Sequence, residues 1–107
     1  MPRKAFETLS EPMFYVLMAL RRQAMCGVDI VAWIEEKTDG RILLGPGTLY
    51  TILPKLTEED IIREVSTEGR RRNYEITHKG RQMYDAECRR LRRCVADLAA
   101  EEQEDAS

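Results

Sequence analysis

The sequence predicts a mainly helical α+β fold in which a small hairpin separates three short helices from one long helix. Three stretches before residue 58 carry apolar residues at helical spacing. Two short stretches between residues 61 and 76 flank a glycine. The first is rich in β-branched residues, and the second alternates polar and apolar residues. From residue 78 to about residue 102 helical periodicity returns in a highly charged segment. A chain of 107 residues with 43% hydrophobic residues can form one domain with an appended element.

The first two helices have recognisable ends. Ser10 is predicted to cap the first helix, because its hydroxyl can accept a bond from a free amide, and Pro12 fits the first turn. Residues 13–20 are apolar on nearly all sides, as in a helix buried on most of its surface. A second helix is predicted from residue 27 to about residue 38, where Asp39-Gly40 ends it.

The third helix is predicted from residue 48 to about residue 57, after the turn residues Gly45-Pro46-Gly47. Its inner face carries four aliphatic residues: Leu49, Ile52, Leu53 and Leu56. Pro54 lies within this pattern, where a proline costs about 3 kcal/mol because it removes a hydrogen bond and crowds the preceding turn. We therefore expect a kink, or an early end of the helix near Leu53.

A β-hairpin is predicted from strands at residues 61–65 and 73–76, with Gly69 in the turn. Thr77 is expected to cap the final helix, which spans about residues 78–102 and precedes an acidic, frayed tail. This order of elements is that of a winged helix-turn-helix, in which the third helix enters the major groove and the hairpin, or wing, lies along the DNA backbone. We predict a DNA-binding domain at residues 1–77 and a dimerisation helix with its tail at residues 78–107.

The distribution of charge agrees with a polyanionic partner better than the net charge of −2 does. Residues 61–81 hold six basic and three acidic side chains, whereas residues 97–107 hold five acids and no base. Phosphate binding depends on the local field of a patch and not on the sum over the chain. The acidic total is therefore a weak objection to DNA binding.

The candidate DNA contacts lie on the third helix and the wing. The outer face of that helix carries four side chains that can bond to bases or phosphates, without an acid until Glu58: Thr48, Tyr50, Thr51 and Lys55. The tip of the wing carries three consecutive cations: Arg70, Arg71 and Arg72. Strand alternation cannot bury three adjacent arginines, so they project into solvent or onto a polyanion. An ordinary amphipathic helix and a solvated basic loop are the alternative interpretations of these two segments.

Two motifs carry a family resemblance. The segment at residues 47–62, GTLYTILPKLTEEDII, resembles the recognition segment of PadR-type transcriptional regulators, and residues 69–80, GRRRNYEITHKG, resemble that family's wing and the entry to its last helix. The similarity extends over about residues 12–98. It implies a dimeric repressor, often of detoxification or efflux genes, that is sometimes released by a small aromatic or hydrophobic compound. Asp60 departs from the family, which usually has glycine there, so the turn after the third helix is expected to differ.

The last helix carries an apolar seam at alternating spacings of four and three: Tyr84, Cys88, Leu91, Val95 and Leu98. Such a seam needs a surface to cover it, either the chain's own first helix or a second subunit. We expect a shared arrangement in a symmetric homodimer, and therefore a double-stranded operator with inverted-repeat half-sites. Trp33, at the edge of the second helix's apolar stripe, is a half-buried core residue, a dimer contact or one wall of an effector site between subunits.

Other chemistries find little support. The three cysteines lack metal-ligand or disulfide spacing, and no constellation surrounds His78, so we expect no cofactor, no metal and no enzymatic activity. The absence of a leader or membrane-spanning pattern, together with reduced thiols, favours a cytoplasmic protein. The leading function is a DNA-binding repressor. The alternative is a winged-helix protein-interaction module that binds an acidic partner protein through the arginines of the wing.

Overall fold

The computed structural model describes residues 9–69 and 71–106, with Glu68 described by its backbone alone. Within these ranges the elements follow in the order α1 (Glu11–Leu20), β1 (Met25–Cys26), α2 (Gly27–Lys37), α3 (Pro46–Glu58), β2 (Ile62–Glu68), β3 (Arg71–Ile76) and α4 (His78–Ala106). The predicted mainly helical α+β class and the winged-helix order are confirmed. No helix in the described part of the chain is both long enough and apolar enough to cross a membrane.

The caps of α1 and α2 are as predicted. The hydroxyl of Ser10 accepts a hydrogen bond from the Met13 amide at 3.3 Å, and the apolar run that follows is largely buried in the core. At the end of α2, Asp39 takes a left-handed conformation with φ 52°, and the Gly40 amide donates to the Glu35 carbonyl at 2.8 Å. This is a Schellman motif, which satisfies the last carbonyls of the helix.

The helix α3 does not end at Leu53, so the early end, one of the two alternatives expected at Pro54, is wrong, and the kink stays a prediction. It begins at Pro46, two residues before the predicted start, and continues past Pro54 to Glu58. Pro54 is exposed, whereas Leu53 and Leu56 on either side of it are buried, so packing of the inner face holds the helix together beyond the lost bond.

The turn after α3 is a second Schellman motif. The Ile61 amide donates to the Leu56 carbonyl at 2.9 Å and the Asp60 amide to the Thr57 carbonyl at 3.0 Å. Asp60 has φ 60°, in the left-handed region that favours glycine. Aspartate therefore adopts here the backbone conformation that a glycine would adopt most easily.

The sheet contains a strand that the sequence did not predict. Its order is β1-β3-β2, and β1 pairs with β3 through Met25 opposite Tyr74 and Cys26 opposite Asn73. Both hairpin strands are longer than predicted and reach Glu68 and Arg71, because they stay paired almost to the turn. A two-residue strand has no periodicity of its own, so the sequence pattern could not reveal β1.

The helix α4 is capped by Thr77, whose hydroxyl accepts a hydrogen bond from the Gly80 amide at 3.0 Å. Its first turns pack on the body of the protein, and the ring of Tyr84 stacks on that of Phe14 with centroids 4.9 Å apart. The helix runs to Ala106, so the prediction of an end near residue 102 was too short. Glutamate and alanine, which are abundant in this tail, are good helix formers. The predicted division of the chain at residue 78 stays a prediction.

Candidate nucleic-acid interface

The outer face of α3 is exposed to solvent along its length. All four predicted side chains are exposed: Thr48, Tyr50, Thr51 and Lys55. Tyr50 extends furthest, with 74% of its surface accessible. The hydroxyl of Thr51 donates to the Gly47 carbonyl at 3.0 Å, so toward a ligand it is an acceptor. The face therefore offers a phenol, an ammonium group and hydroxyls.

The wing is the hairpin of β2 and β3. Its described arginines, Arg71 and Arg72, are exposed and adjacent on β3, so they lie on opposite faces of the hairpin. Arg72 shares its face with Tyr74, which packs against the core, and its Nε lies 3.8 Å from Oε1 of Glu64. The predicted contact Arg70 lies outside the described residues.

A cleft of about 320 Å³ joins α3 to the wing. Tyr50 and Pro54 line it from α3, and Arg71 and Arg72 line it from β3. None of the ten described residues that line the cleft is acidic. The structure thus brings three of the predicted contacts, Tyr50, Arg71 and Arg72, to one basic, partly apolar cleft. The other three described candidates do not line it: Thr48, Thr51 and Lys55.

Sequence reasoning did not identify Val28 as part of this cleft. Val28, in the first turn of α2, is 71% exposed and lines the cleft next to the predicted contacts. The pairing of β1 with β3 brings this turn to the wing. A signal was present, because Val28 lies off the buried stripe of Ile30 and Ile34, but an isolated exposed valine is too common to indicate a site.

The predicted seam of α4 divides into two parts. Tyr84 is buried within its own protomer, and Cys88 and Leu91 are half-buried. Val95 and Leu98 are 64% and 59% exposed. The first part of the seam is thus covered by the chain itself, as one of the two alternatives predicted, and the second part is open.

Two side chains on this part of α4, Glu87 and Tyr84, have shifted pKa values. Arg90 donates two hydrogen bonds to the buried carboxylate of Glu87, at 2.9 and 2.6 Å, and these hold the pKa of Glu87 below its ordinary value. The pKa of Tyr84 is raised, chiefly by burial and then by the neighbouring Cys88, against an opposing effect of Arg21. Glu87 is therefore held in its charged form by a partner on its own helix.

Trp33 packs half-buried against the core, with the ammonium group of Lys37 6.0 Å from the centre of its ring. An open groove of about 420 Å³ lies beside it, lined also by Arg22 and Glu36. His78 is exposed at the start of α4. Among the residues that the structure describes, no group of three or more histidine, cysteine or acidic side chains could hold a metal ion.

Solved structures of other proteins have the same fold as this chain. A structure of a transcriptional regulator from Clostridium thermocellum has a TM-score of 0.75 and 23% identity to the chain, covering 87% of this chain and 97% of that one. PadR from Bacillus subtilis, solved in complex with operator DNA, has a TM-score of 0.61 and 24% identity, covering 74% of this chain and 47% of that one. Both likenesses show the fold.

A sequence relative is the uncharacterised 37.1 kDa protein of transposon TN4556 from Streptomyces fradiae, 35% identical over 78 residues. These are 73% of this chain but 22% of that protein, so the chain spans about a fifth of its relative's length. The sequence model of the transcriptional regulator PadR-like family matches residues 16–86, which is about two thirds of the chain. The chain therefore belongs to the PadR-like family of transcriptional regulators.

Proposed function

We propose that the chain is a sequence-specific repressor that binds double-stranded operator DNA as a homodimer through α3 and the wing. The observation that carries the proposal is the cleft shared by Tyr50 of α3 and Arg71 and Arg72 of the wing, whose described lining residues include no acid. In a winged helix the third helix enters the major groove, and the adjacent backbone then passes near the wing. A carboxylate on this surface would repel that backbone, and none of the described residues that line the cleft carries one.

The two segments have different tasks in this proposal. Tyr50 and Thr51, with Thr48, face the base edges, where hydroxyls accept or donate bonds and a ring contacts a thymine methyl. Lys55 and the arginines of the wing, Arg70 included, neutralise phosphates. Guanidinium suits phosphate because it offers paired donors, and each neutralised phosphate releases condensed counterions. Base choice thus belongs to Tyr50 and the threonines of α3, and the salt-dependent part of the affinity belongs to Lys55 and the wing.

Dimerisation is supported by the open part of the α4 seam. Val95 and Leu98 place apolar surface in solvent on a helix that is otherwise highly charged, and a second copy would cover it. The half-buried Leu91 and Cys88 connect this surface to the body of the protomer. A two-fold dimer requires an inverted-repeat operator with half-sites about one helical turn apart, or a multiple of it. Repression itself rests on the family resemblance.

Release by a small aromatic or hydrophobic effector near Trp33 is a further part of the proposal. Its support is the partly accessible indole beside the groove lined by Arg22, Glu36 and Lys37. Trp33 is the single tryptophan of the sequence, so its fluorescence reports on this site alone. A panel of phenolic and planar cationic compounds should include one that quenches the indole and releases DNA over the same concentration range. A panel that does neither contradicts this part.

The decisive experiment is a fluorescence-anisotropy titration of the chain against the DNA upstream of its own gene, with scrambled DNA of equal length as the control. The proposal expects specific binding in the nanomolar range, at least about 10³-fold tighter than to the scrambled duplex. Equal, weak and strongly salt-dependent binding to both duplexes would reject it. That outcome would favour the alternative function, in which the wing binds an acidic partner protein.

A further inference from the structure

The wing has an inner face that packs toward the core and an outer face that does not. On the inner face Ile62 lies opposite Ile76, and Glu64 opposite Tyr74. A β-bulge between Glu64 and Ser66 then shifts the register by one residue. As a result Thr67, and not Ser66, lies opposite Arg72, and this pair shares the inner face with Glu64.

Next to the bulge, two polar side chains approach one carboxylate oxygen of Glu64. The hydroxyl of Thr67 donates to Oε1 of Glu64 at 3.2 Å, and Nε of Arg72 lies 3.8 Å from the same oxygen. The second distance is longer than a hydrogen bond, and the side chain of Arg72 is two-thirds exposed. Glu64 therefore attracts Arg72 electrostatically, but no hydrogen bond between these two atoms fixes the position of the guanidinium.

The outer face carries a different ion pair. Nε and Nη2 of Arg63 lie 2.6 and 2.5 Å from Oε2 of Glu75, so this pair is hydrogen-bonded at short range. Neither Arg63 nor Glu75 lines the cleft between α3 and the wing. The loose pair thus includes a residue that lines the cleft, Arg72, whereas the tight pair includes none.

We propose that Glu64 competes with DNA phosphate for Arg72 and thereby limits the affinity of the wing for DNA; the inference rests on the proposed DNA-binding function. In the free protein the guanidinium of Arg72 is partly neutralised by Glu64. When Arg72 turns to a phosphate, it gives up its attraction to Glu64, and this loss reduces the free energy gained from the phosphate contact. The loss lowers binding to any sequence, because phosphate carries no sequence information.

The test replaces Glu64 by glutamine, which keeps the side chain's size and an oxygen that can accept the bond from Thr67. Glu64→Gln should raise the affinity for operator and scrambled DNA alike, by about 1.5- to 5-fold per subunit, the range for one exposed ion pair. The slope of log K against log salt should steepen by up to about 0.9 per subunit, because Arg72 now binds its phosphate at full charge. The unfolding temperature should stay within about 2 °C of the parent chain, as expected for an exposed substitution.

Two controls make the test specific. Glu75→Gln removes the same charge from the outer face and should leave the affinity and the salt slope unchanged. In the double variant Glu64→Gln with Arg72→Gln, affinity should equal that of Arg72→Gln alone, since the effect of Glu64 acts through Arg72.

Each contrary result has its own meaning. No gain from Glu64→Gln overturns the inference while leaving DNA binding by the parent chain intact. Equal gains from Glu64→Gln and Glu75→Gln overturn it in favour of a net-charge effect, and a gain that persists without Arg72 overturns the route through that residue. If the parent chain binds neither duplex, the proposed function itself fails, and the inference fails with it.

Discussion

Gly80, in the first turn of α4, lies against the carbonyl oxygen of Ile61 so closely that a methyl group on Gly80 would overlap that oxygen. The same carbonyl accepts the amide of Thr77 at 3.0 Å and lies 2.9 Å from its hydroxyl. The start of α4 is therefore docked on the turn that follows α3. The orientation of the last helix relative to the recognition helix depends on this contact.

Gly80→Ala should destabilise the protein by about 1–3 kcal/mol, the range for overpacking a close contact. Alanine favours a helix interior by about 1 kcal/mol over glycine, so a loss of stability would come from the overlap with the Ile61 carbonyl and with the side chain of Ile76. Urea denaturation followed by circular dichroism measures the change. Gly47→Ala is the control, because its methyl group would meet nothing within 4 Å, and it should be neutral or stabilising. Equal effects at the two positions would contradict the docking.

Asp60→Gly should stabilise the protein by about 0.5–1 kcal/mol. Asp60 holds φ 60°, a conformation that costs a residue with a Cβ about 1–2 kcal/mol, and glycine's greater loss of backbone entropy offsets part of the gain. Asp60→Val should destabilise, since a β-branched side chain tolerates this conformation worst. Thermal unfolding of both variants checks the order, and a stability of the valine variant at or above that of the parent would refute it.

Tyr50→Ala should weaken operator binding by about 1–3 kcal/mol without changing the fold, because the ring is exposed and contributes little to the core. Tyr50→Phe separates the hydroxyl's hydrogen bonds from the ring's apolar contact. Glu35→Ala, at an exposed position of α2 outside the cleft, is the matched control. Unchanged operator affinity of Tyr50→Ala, with a native circular dichroism spectrum, would remove Tyr50 from the interface.

Val95→Glu with Leu98→Glu should convert a dimer into a folded monomer. Both side chains are exposed in the protomer, so the substitutions place charges at the proposed interface without disturbing the core. Leu91→Glu is the comparison, because Leu91 is half-buried and its loss should lower stability as well. Light scattering coupled to size exclusion measures the mass. A monomeric parent chain would end the proposal of a dimer.

Stability should fall below about pH 4.5 in part through Glu87. Its folded-state pKa lies below the ordinary value of 4.5, so its stabilising charge is fully present above that value and is lost as the pH falls through the folded-state pKa. Glu87→Gln should therefore flatten the acid limb of the stability curve. Glu101→Gln, at an exposed position near the end of α4, is the control. Parallel acid limbs for the parent and Glu87→Gln would exclude the effect.

Local chemistry made several features predictable from the sequence. A helix cap needs one side-chain oxygen near a free amide, and Ser10 and Thr77 provide it without distant partners. The winged-helix order and the exposed faces of α3 and β3 follow from periodicity, which the sequence carries directly. The sequence therefore determined the kind of fold and where on it Tyr50 and Arg72 would be exposed.

The tertiary structure decided what depends on contacts distant in the chain. Met25 is in a strand because the edge of β3 pairs with it, and the helix α3 survives Pro54 because Leu53 and Leu56 are buried on either side. Tyr84 and Val95 belong to one seam in the sequence, yet Tyr84 stacks on Phe14 while Val95 lies in solvent. A helical pattern records which residues share a face, but the length of the surface packed against that face determines which of them are buried.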